Sequence, residues 1–174
     1  YIINTFDKSV TRLTQQEDYD GQPDWSPDGQ EITFISDRSG YKNIWTMDAD
    51  GSNVRQVTNL YHAAAPKWSP DGQWIAFASD DLGTGFTSLW VIDVDATELD
   101  SIYRPSKSET DAWPGDWSFD STYILYEEAT WDYDDGWYIT ISHLDAIKPE
   151  NTVEQQRLVE GGTNMAGSWS PCDI

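Results

Sequence analysis

A Trp-Ser pair that recurs along the chain is the feature that most narrows the choice of fold. The pair begins at residues 25, 68, 117 and 169, so that successive copies are spaced by roughly 40 to 50 residues. In the first two copies Pro-Asp-Gly follows, where Pro presets φ, Asp bonds its own backbone and Gly accepts a positive φ. An apolar, β-rich run comes next, at residues 32–35 and 75–78. Each intact copy therefore predicts a strand, a tight turn and a second strand.

The residues between the copies predict two further strands in every unit. The third strand is expected at residues 43–48, 88–93 and 137–142, and the fourth at residues 53–58, near 101–103 and at 156–159. No segment has a convincing apolar period of 3.6 residues, which argues against helices. Four short antiparallel strands in a period of this length are typical of one propeller blade. We therefore predict an all-β chain that forms a β-propeller of four-stranded antiparallel blades.

The two ends of the chain match different parts of one blade. Residues 1–7 and 10–14 have the pattern of a third and a fourth strand, whereas residues 169–171 have that of a first strand. We predict a single domain over residues 1–174, and its blade repeats are expected at approximately 22–60, 64–106 and 112–160. Residues 1–16 and 165–174 are expected to form a composite closing blade, which makes four blades and removes exposed sheet edges. An arc of a larger propeller is the alternative.

The repeated residues also resemble those of a known family. Trp-Ser-Pro-Asp-Gly, an apolar strand, Ser-Asp, Asp-x-Asp-Gly and a closing Arg-x-Val-Thr are similar to the TolB-type propeller repeat, also called the WD40-like or PD40 repeat. Residues 24–58 match almost throughout, residues 67–93 match well and residues 116–159 match weakly. In the third copy Phe119 and Ser121 replace Pro and Gly, and in the last copy Cys172 stands where the turn Asp belongs. Propellers of this family usually have more than four blades. The resemblance implies an interaction platform, or a gating domain attached to an enzyme such as a prolyl oligopeptidase-like peptidase.

The charge balance bears on the partners of the chain. With 31 Asp and Glu against 10 Lys and Arg, the formal net charge is -21, which disfavours nucleic acid and anionic membranes because both require a basic face. No apolar run reaches the roughly 18 residues needed to cross a bilayer. We expect no nucleic-acid partner and no membrane insertion. A composition that is acidic, rich in Trp and Tyr and poor in Lys and Cys fits a bacterial periplasmic or extracellular protein.

Acidic loops are the candidate metal sites. Asp132, Asp134 and Asp135 stand at close spacing before a Gly, in a loop that the repeat does not require. Carboxylates spaced in this way can surround a hard cation, so calcium is the metal we consider for this loop, and a solvated acidic loop is the alternative. Weaker candidates of the same kind are residues 48–53 and the group Asp80, Asp81, Asp93 and Asp95. Residues 48–53 also form the ordinary turn of the repeat.

The Trp of each copy has a structural and a functional interpretation. We expect Trp25, Trp68, Trp117 and Trp169 to pack between neighbouring blades. The alternative is a platform for carbohydrate or peptide. Equivalent positions in every blade favour packing, because a ligand rarely contacts all blades alike.

Enzymatic activity has little support in the sequence. There is no Gly-x-Ser-x-Gly elbow and no pair of Cys or His with zinc-ligand spacing. The two histidines, His62 and His143, fall on different predicted blades. Glu127 and Glu128 adjoin a strand end, but nothing marks a partner carboxylate at the separation that glycoside hydrolysis needs. We therefore predict that the protein is not an enzyme.

The leading hypothesis for function is a propeller that binds another protein or further copies of itself. The composite blade would lack a second strand, leaving backbone N–H and C=O groups for a strand of another chain. The expected interaction seam consists of Tyr1, Ile3, Trp169, Cys172 and Ile174. Head-to-tail strand exchange builds a filament if the rotation between subunits does not close. Cys172, the single cysteine, either stays a free thiol or bridges two chains.

Two other functions are compatible with the same residues. In the first alternative, the chain is an accessory propeller segment of a larger hydrolase or peptidase. In the second alternative, it is a calcium-stabilised ligand-binding module. The first alternative predicts that the full gene encodes further propeller repeats and a domain with a serine nucleophile beyond residues 1–174, which the leading hypothesis does not require. The second alternative predicts that calcium raises the melting temperature, because a ligand that binds only the native state stabilises it.

Overall fold

The molecule is built from antiparallel β-strands. The computed structural model describes residues 1–80, 83–96, 98–105, 110–132, 138–148 and 151–159, and from residue 131 onward it describes the backbone alone. All regular secondary structure in these residues is strand, arranged as one two-stranded hairpin and three four-stranded sheets. Nothing helical in this part of the chain is long and apolar enough to cross a lipid bilayer. The prediction of an all-β chain is confirmed.

A short hairpin and the first four-stranded sheet occupy the N-terminal third of the chain. The hairpin pairs β1 (Ile2–Ile3) with β2 (Val10–Thr11). The strands of the first sheet, in spatial order, are β3 (Asp20–Trp25), β4 (Glu31–Ser36), β5 (Asn43–Asp48) and β6 (Arg55–Gln56). β4 is buried along nearly its whole length, because it packs towards the hairpin on one face and towards the second sheet on the other.

The second and third sheets repeat this order. The second contains β7 (Ala63–Trp68), β8 (Trp74–Ser79), β9 (Ser88–Asp93) and β10 (Leu99–Tyr103). The third contains the longer strands β11 (Thr110–Trp117), β12 (Ile124–Asp132), β13 (Tyr138–Lys148) and β14 (Asn151–Val159). The first strands of consecutive sheets contact one another, β3 with β7 and β7 with β11. This side-by-side packing of four-stranded antiparallel sheets confirms the propeller-blade architecture.

The predicted closing blade is described only in part. Its N-terminal half contains the β1–β2 hairpin, whereas residues 165–174 lie outside the described residues. Ring closure and the four-blade count therefore stay predictions, as do the domain and blade boundaries.

The Ser-Pro-Asp-Gly turn is held by its own side chains. Ser26 Oγ donates to Asp28 Oδ1 (2.7 Å) and accepts from the backbone N–H of Glu31 (2.9 Å). The hydrogen bond from Ser26 lowers the pKa of Asp28. Gly29 has a φ of 69°, the left-handed conformation that the turn requires. The motif thus fixes the hairpin locally, before any contact between sheets.

The third copy keeps this turn without the glycine. Ser118 Oγ makes the same pair of hydrogen bonds, to Asp120 Oδ1 (2.7 Å) and from the N–H of Tyr123 (2.8 Å). Ser121 takes the place of Gly with a φ of 60°. Its Oγ accepts from the N–H of Asp71 (3.0 Å), so the residue that strains the turn also links it to the second sheet.

The core lies in the seams between sheets. Ile75 and Phe77 pack against the first sheet, whereas the intervening Ala76 packs against the third. This alternation follows the two-residue period of a strand. The central strands of the second sheet are therefore apolar on both faces.

The repeated Trp residues pack between sheets in two of the three described copies. Trp68 and Trp117 are buried, with exposed fractions of 8% and 2%, and Trp117 Nε1 donates across the seam to the carbonyl of Lys67 (3.0 Å). Trp25 is 49% exposed, which differs from the expectation; among the described strands, its side of the first sheet faces only the two-stranded hairpin. Trp169 lies outside the described residues.

A carboxylate bridges the seam between the first and second sheets. Asp24 Oδ2 accepts from the N–H of Trp68 (2.8 Å), and Asp24 Oδ1 lies 3.9 Å from Lys67 Nζ. Burial raises the pKa of Asp24, and the negative charge of Asp116 acts in the same direction. The charged form of this carboxylate is therefore costly inside the fold.

Candidate binding site

The predicted site residues fall largely outside the described side chains. Asp132 ends β12 in a stretch where only the backbone is described, and Asp134 and Asp135 lie outside the described residues. Tyr1 and Ile3 belong to the hairpin and are 78% and 61% exposed. The remaining seam residues, Trp169, Cys172 and Ile174, lie outside the described residues. No group of three or more His, Cys, Asp or Glu able to hold a metal occurs among the residues that the structure describes.

The weaker acidic candidates organise their own loops. Asn53 Nδ2 donates to Asp48 Oδ2 (2.7 Å), and the N–H of Ser52 donates to Asp50 Oδ1 (2.8 Å). The hydrogen bonds from Ser52 lower the pKa of Asp50. In the second sheet Asp93 Oδ1 accepts from a backbone N–H in the same way, that of Glu98 (2.6 Å). These carboxylates have the contacts expected of turn residues.

A cleft of about 650 Å³ opens where the first strands of the three sheets begin. We call it the strand-start cleft. Its aromatic and imidazole side chains are Tyr41, Tyr61, His62 and Trp113, and its charged side chains are Asp37, Lys42, Asp80 and Asp111. Gly40, Ala64, Gly85 and Thr87 complete its lining. Its volume lies within the range of known ligand sites, and all three sheets contribute to it, the third through Asp111 and Trp113 of β11.

Two tyrosines form the most exposed apolar part of this cleft. The rings of Tyr41 and Tyr61 stack with centroids 4.7 Å apart and planes inclined by 30°. Their exposed fractions are 53% and 59%. Tyr41 precedes β5, whereas Tyr61 precedes β7, so the pair spans the connection between the first and second sheets. Each ring still presents area to solvent on which a ligand can pack.

A buried asparagine holds the two tyrosine loops together. Asn43 is 1% exposed, and its Nδ2 donates to the carbonyls of Tyr41 (3.3 Å) and Leu60 (3.2 Å). Its Oδ1 accepts from the N–H of Leu60 (2.8 Å) and from Thr58 Oγ1 (2.9 Å). Asn43 thus satisfies backbone groups on both loops at once. This arrangement sets the separation of the two rings.

Three carboxylates edge the cleft, and each accepts hydrogen bonds from other residues of the chain. Asp37 Oδ1 accepts from the N–H of Tyr19 (2.9 Å), and Asp80 Oδ2 accepts from the N–H of Gly85 (2.7 Å). Asp111 is buried and accepts from both the N–H and the hydroxyl of Thr87 (2.7 and 3.0 Å). The carboxylates are therefore positioned before any ligand binds, and they make this end of the sheets acidic.

Sequence reasoning missed most of this cleft. The sequence pointed to Asp80 only as a weak metal candidate, and to His62 only as one of two histidines on different predicted blades. Tyr41 and Tyr61 belong to loops that the repeat leaves variable, so no periodic signal marks them. The available clue was indirect: an aromatic residue stands two positions before β5 and another two before β7.

A second groove, of about 400 Å³, lies between the hairpin and the first sheet. Its lining includes Tyr1, Ile2, Leu13, Arg12, Thr14, Gln16, Asp18, Asp20, Gly21, Pro23, Trp25, Ile32, Phe34 and Met47. The hairpin also exposes Ile3 and Val10, each at 61%, and the tip residue Phe6 at 97%. We call this region the hairpin groove. It contains both described members of the predicted interaction seam.

The chain is similar in sequence to curated proteins over part of their length. It is 40% identical over 57 residues to the Tol-Pal system protein TolB of Helicobacter hepaticus, an alignment covering 33% of this chain and 14% of that protein. It is 38% identical over 106 residues to the uncharacterized peptidase YuxL of Bacillus subtilis, covering 60% of this chain and 16% of the peptidase. The chain thus spans less than a fifth of the curated relatives it matches.

The fold and the repeat place the chain in a family. TolB from Acinetobacter baumannii superposes with a TM-score of 0.71 at 20% identity, covering 91% of this chain and 37% of that one. The family model described as the TolB beta propeller domain, PD40, matches residues 1–173. Because this match takes in nearly the whole chain, the protein belongs to the TolB β-propeller family.

Proposed function

We propose that the chain is a non-enzymatic, extracytoplasmic binding module that takes up a segment of a partner protein in the strand-start cleft. The observation that carries this proposal is the stacked pair of Tyr41 and Tyr61, which stays exposed inside a cleft built by three sheets. Exposed aromatic area in a preformed concave site is typical of binding surfaces. The acidic composition and the membership of the TolB family support the periplasmic or extracellular location.

The shape of the cleft favours a chain segment over a small metabolite. Its lining comes from three consecutive sheets, so an extended ligand touches several sheets at once. The similar TolB of Helicobacter hepaticus bears the name of a multi-component system, the Tol-Pal system, which supports a protein partner. Fold alone does not determine function, and the cleft residues are therefore the part of the proposal to test.

Selection from a random peptide library displayed on phage tests this proposal. Peptides selected on the wild-type chain are expected to lose binding to the double variant Tyr41→Ala/Tyr61→Ala. They should retain binding to Phe119→Ala, which removes a 75% exposed aromatic ring at the opposite end of β11 from the cleft. Failure to enrich any peptide, or equal binding to the double variant, would contradict the proposal.

Self-association through the hairpin groove is a second candidate function. Among the described strands β1 pairs with β2 alone, and Ile3 and Val10 are each 61% exposed beside that free edge. A strand from a second copy can add to such an edge, and repeated addition gives a filament. Light scattering over a dilution series tests this, with Ile3→Lys against the control Val54→Lys at a 39% exposed site just before β6. A monomer at every concentration would rule it out.

Two further roles have tests of their own. An accessory role in a peptidase is supported by the similarity to YuxL, and a serine-nucleophile domain in the same gene would establish it. A calcium-stabilised module predicts that calcium raises the melting temperature and that a chelator reverses the rise. Neither role requires the strand-start cleft.

A further inference from the structure

We infer that the strand-start cleft recognises arginine side chains of its partner, with the guanidinium group against the Tyr41–Tyr61 pair and the cleft carboxylates around it. This inference rests on the proposed function and specifies the chemistry of its ligand. It is carried by the aromatic pair, by the charge of the cleft and by arginine contacts within the chain itself.

The aromatic pair offers the right kind of surface. Tyr41 and Tyr61 are stacked at 4.7 Å and are each more than half exposed. A guanidinium group is planar and stacks on aromatic faces, where the ring quadrupole attracts its charge. Asn43 fixes the loops carrying the two rings, so little ordering is needed when a ligand arrives.

The charge of the cleft selects a cation. Asp37, Asp80 and Asp111 outnumber the single lysine, Lys42, whose Nζ lies 4.7 Å from the centre of the Tyr19 ring. An anionic ligand would meet three carboxylates there, in a chain whose formal net charge is -21. A basic segment is instead attracted over a distance and held by nearby opposite charge.

The geometry of the carboxylates favours an organic cation over a metal ion. Asp37, Asp80 and Asp111 each already accept hydrogen bonds from other residues of the chain, and the described residues contain no cluster of three metal-ligating side chains. A guanidinium group needs no complete shell of oxygen ligands. It gains from aromatic stacking and from carboxylates at its rim.

The chain already binds its own arginines in this way. The Arg38 guanidinium lies 4.9 Å from the ring centre of Trp45 and donates to Asp20 Oδ1 (2.8 Å). The Arg104 guanidinium lies 5.5 Å from the ring centre of Trp90. Arginine on an aromatic face, with a carboxylate beside it where Arg38 lies, is thus a contact that this scaffold forms. The strand-start cleft has both partners without an arginine of its own among its lining residues.

Calorimetry with short peptides tests the inference. The probe is acetyl-Gly-Arg-Gly-Arg-Gly-amide, and the matched control replaces both arginines with citrulline, which keeps the shape and removes the charge. Titrations run at about 150 mM salt, where long-range attraction between exposed charges is largely screened. We expect one peptide per chain and binding at least about tenfold tighter for arginine than for citrulline.

Variants locate the binding. We expect Tyr41→Ala/Tyr61→Ala to weaken binding of the arginine peptide about tenfold, and Tyr41→Phe/Tyr61→Phe to keep it, since the rings remain. Phe119→Ala, at the opposite end of β11, should bind within about twofold of wild type. All four tyrosine substitutions are at exposed positions, and circular dichroism checks that the variants are folded.

Specific outcomes would overturn the inference. Equal binding of the arginine and citrulline peptides removes the role of the charge. If the Tyr41→Ala/Tyr61→Ala variant bound the arginine peptide as tightly as wild type, the peptide would be attracted to the acidic surface as a whole and not to the tyrosine pair. Library peptides that depend on the two tyrosines but lack arginine would also overturn it, while leaving the proposed function standing.

Discussion

The Trp of the repeat allows one substitution to be made at three equivalent positions with different environments. Replacing Trp25, Trp68 and Trp117 in turn by Phe removes the indole N–H and part of the ring volume. The structure predicts three different losses of stability. Trp25 is 49% exposed, Trp68 is 8% exposed and Trp117 is 2% exposed.

The hydrogen bonds of the indole groups separate the two buried positions. Trp117 Nε1 donates to the carbonyl of Lys67 at 3.0 Å, whereas Trp68 Nε1 has no hydrogen-bond partner among the described residues. Loss of ring volume should cost each buried site about 1 to 2 kcal/mol. Trp117→Phe additionally loses a hydrogen bond worth about 1 kcal/mol, whereas Trp68→Phe removes a buried donor that lacks a partner. We expect about 2 to 3 kcal/mol for Trp117→Phe, at least about 1 kcal/mol less for Trp68→Phe, and less than about 0.5 kcal/mol for Trp25→Phe.

Urea denaturation followed by far-ultraviolet circular dichroism measures these differences. With a slope of about 2 kcal/mol/M, a loss of 1 kcal/mol lowers the midpoint by about 0.5 M. The slopes of the three variants should agree with wild type, because the fold is unchanged. Equal shifts at Trp68 and Trp117 would refute the role given to the hydrogen bond with Lys67. If Trp25→Phe lowered the urea midpoint as much as Trp117→Phe, the reasoning that the half-exposed Trp25 contributes little to stability would be refuted.

Further predictions concern the turn, the seam carboxylate and the cleft. Gly29→Ala should cost about 1 kcal/mol in urea denaturation, because φ is 69° while the added Cβ meets no atom within 4 Å; no loss would contradict the strain. Asp24→Asn should gain stability relative to wild type as pH rises from about 4 to 7. Burial raises the pKa of Asp24, so the folded state of wild type loses stability as pH rises through that raised pKa, and Asn avoids the loss while still accepting from the N–H of Trp68. A pH-independent difference in unfolding free energy would contradict this sign. Asn43→Ala should cost about 2 to 4 kcal/mol by stranding buried backbone groups, and calorimetry should show weaker arginine-peptide binding; unchanged affinity would contradict its positioning role.

The blade units could be predicted because their determinants are local. The hydrogen bonds of Ser26 and Asp28 join residues two to five positions apart, and Gly29 acts through its own φ. The alternation of Ile75, Ala76 and Phe77 between two seams follows from the strand period. The predicted fourth strand near residues 101–103 lies within β10.

The candidate sites were harder to predict than the blade units, because they depend on contacts between residues that are distant in sequence. Tyr41 and Tyr61 come from loops without a repeated pattern. The whole second sheet separates Asp111 from Tyr61 in the sequence. Loop residues are free to vary as long as the strands they connect keep their register. The sequence emphasised Asp132, the last residue of β12, whose side chain lies outside the described part of the structure. It also emphasised the seam residues Tyr1 and Ile3, which do lie on an exposed apolar surface.

By itself, the sequence determined the strands and the turns, since both depend on residues within a few positions of each other. The tertiary structure decided which of these equivalent units carry a site. The same Trp is buried at positions 68 and 117 and half exposed at position 25, because burial depends on the neighbouring sheet and not on the motif. The cleft likewise exists only once three sheets lie side by side and Asn43 joins the loops of Tyr41 and Tyr61.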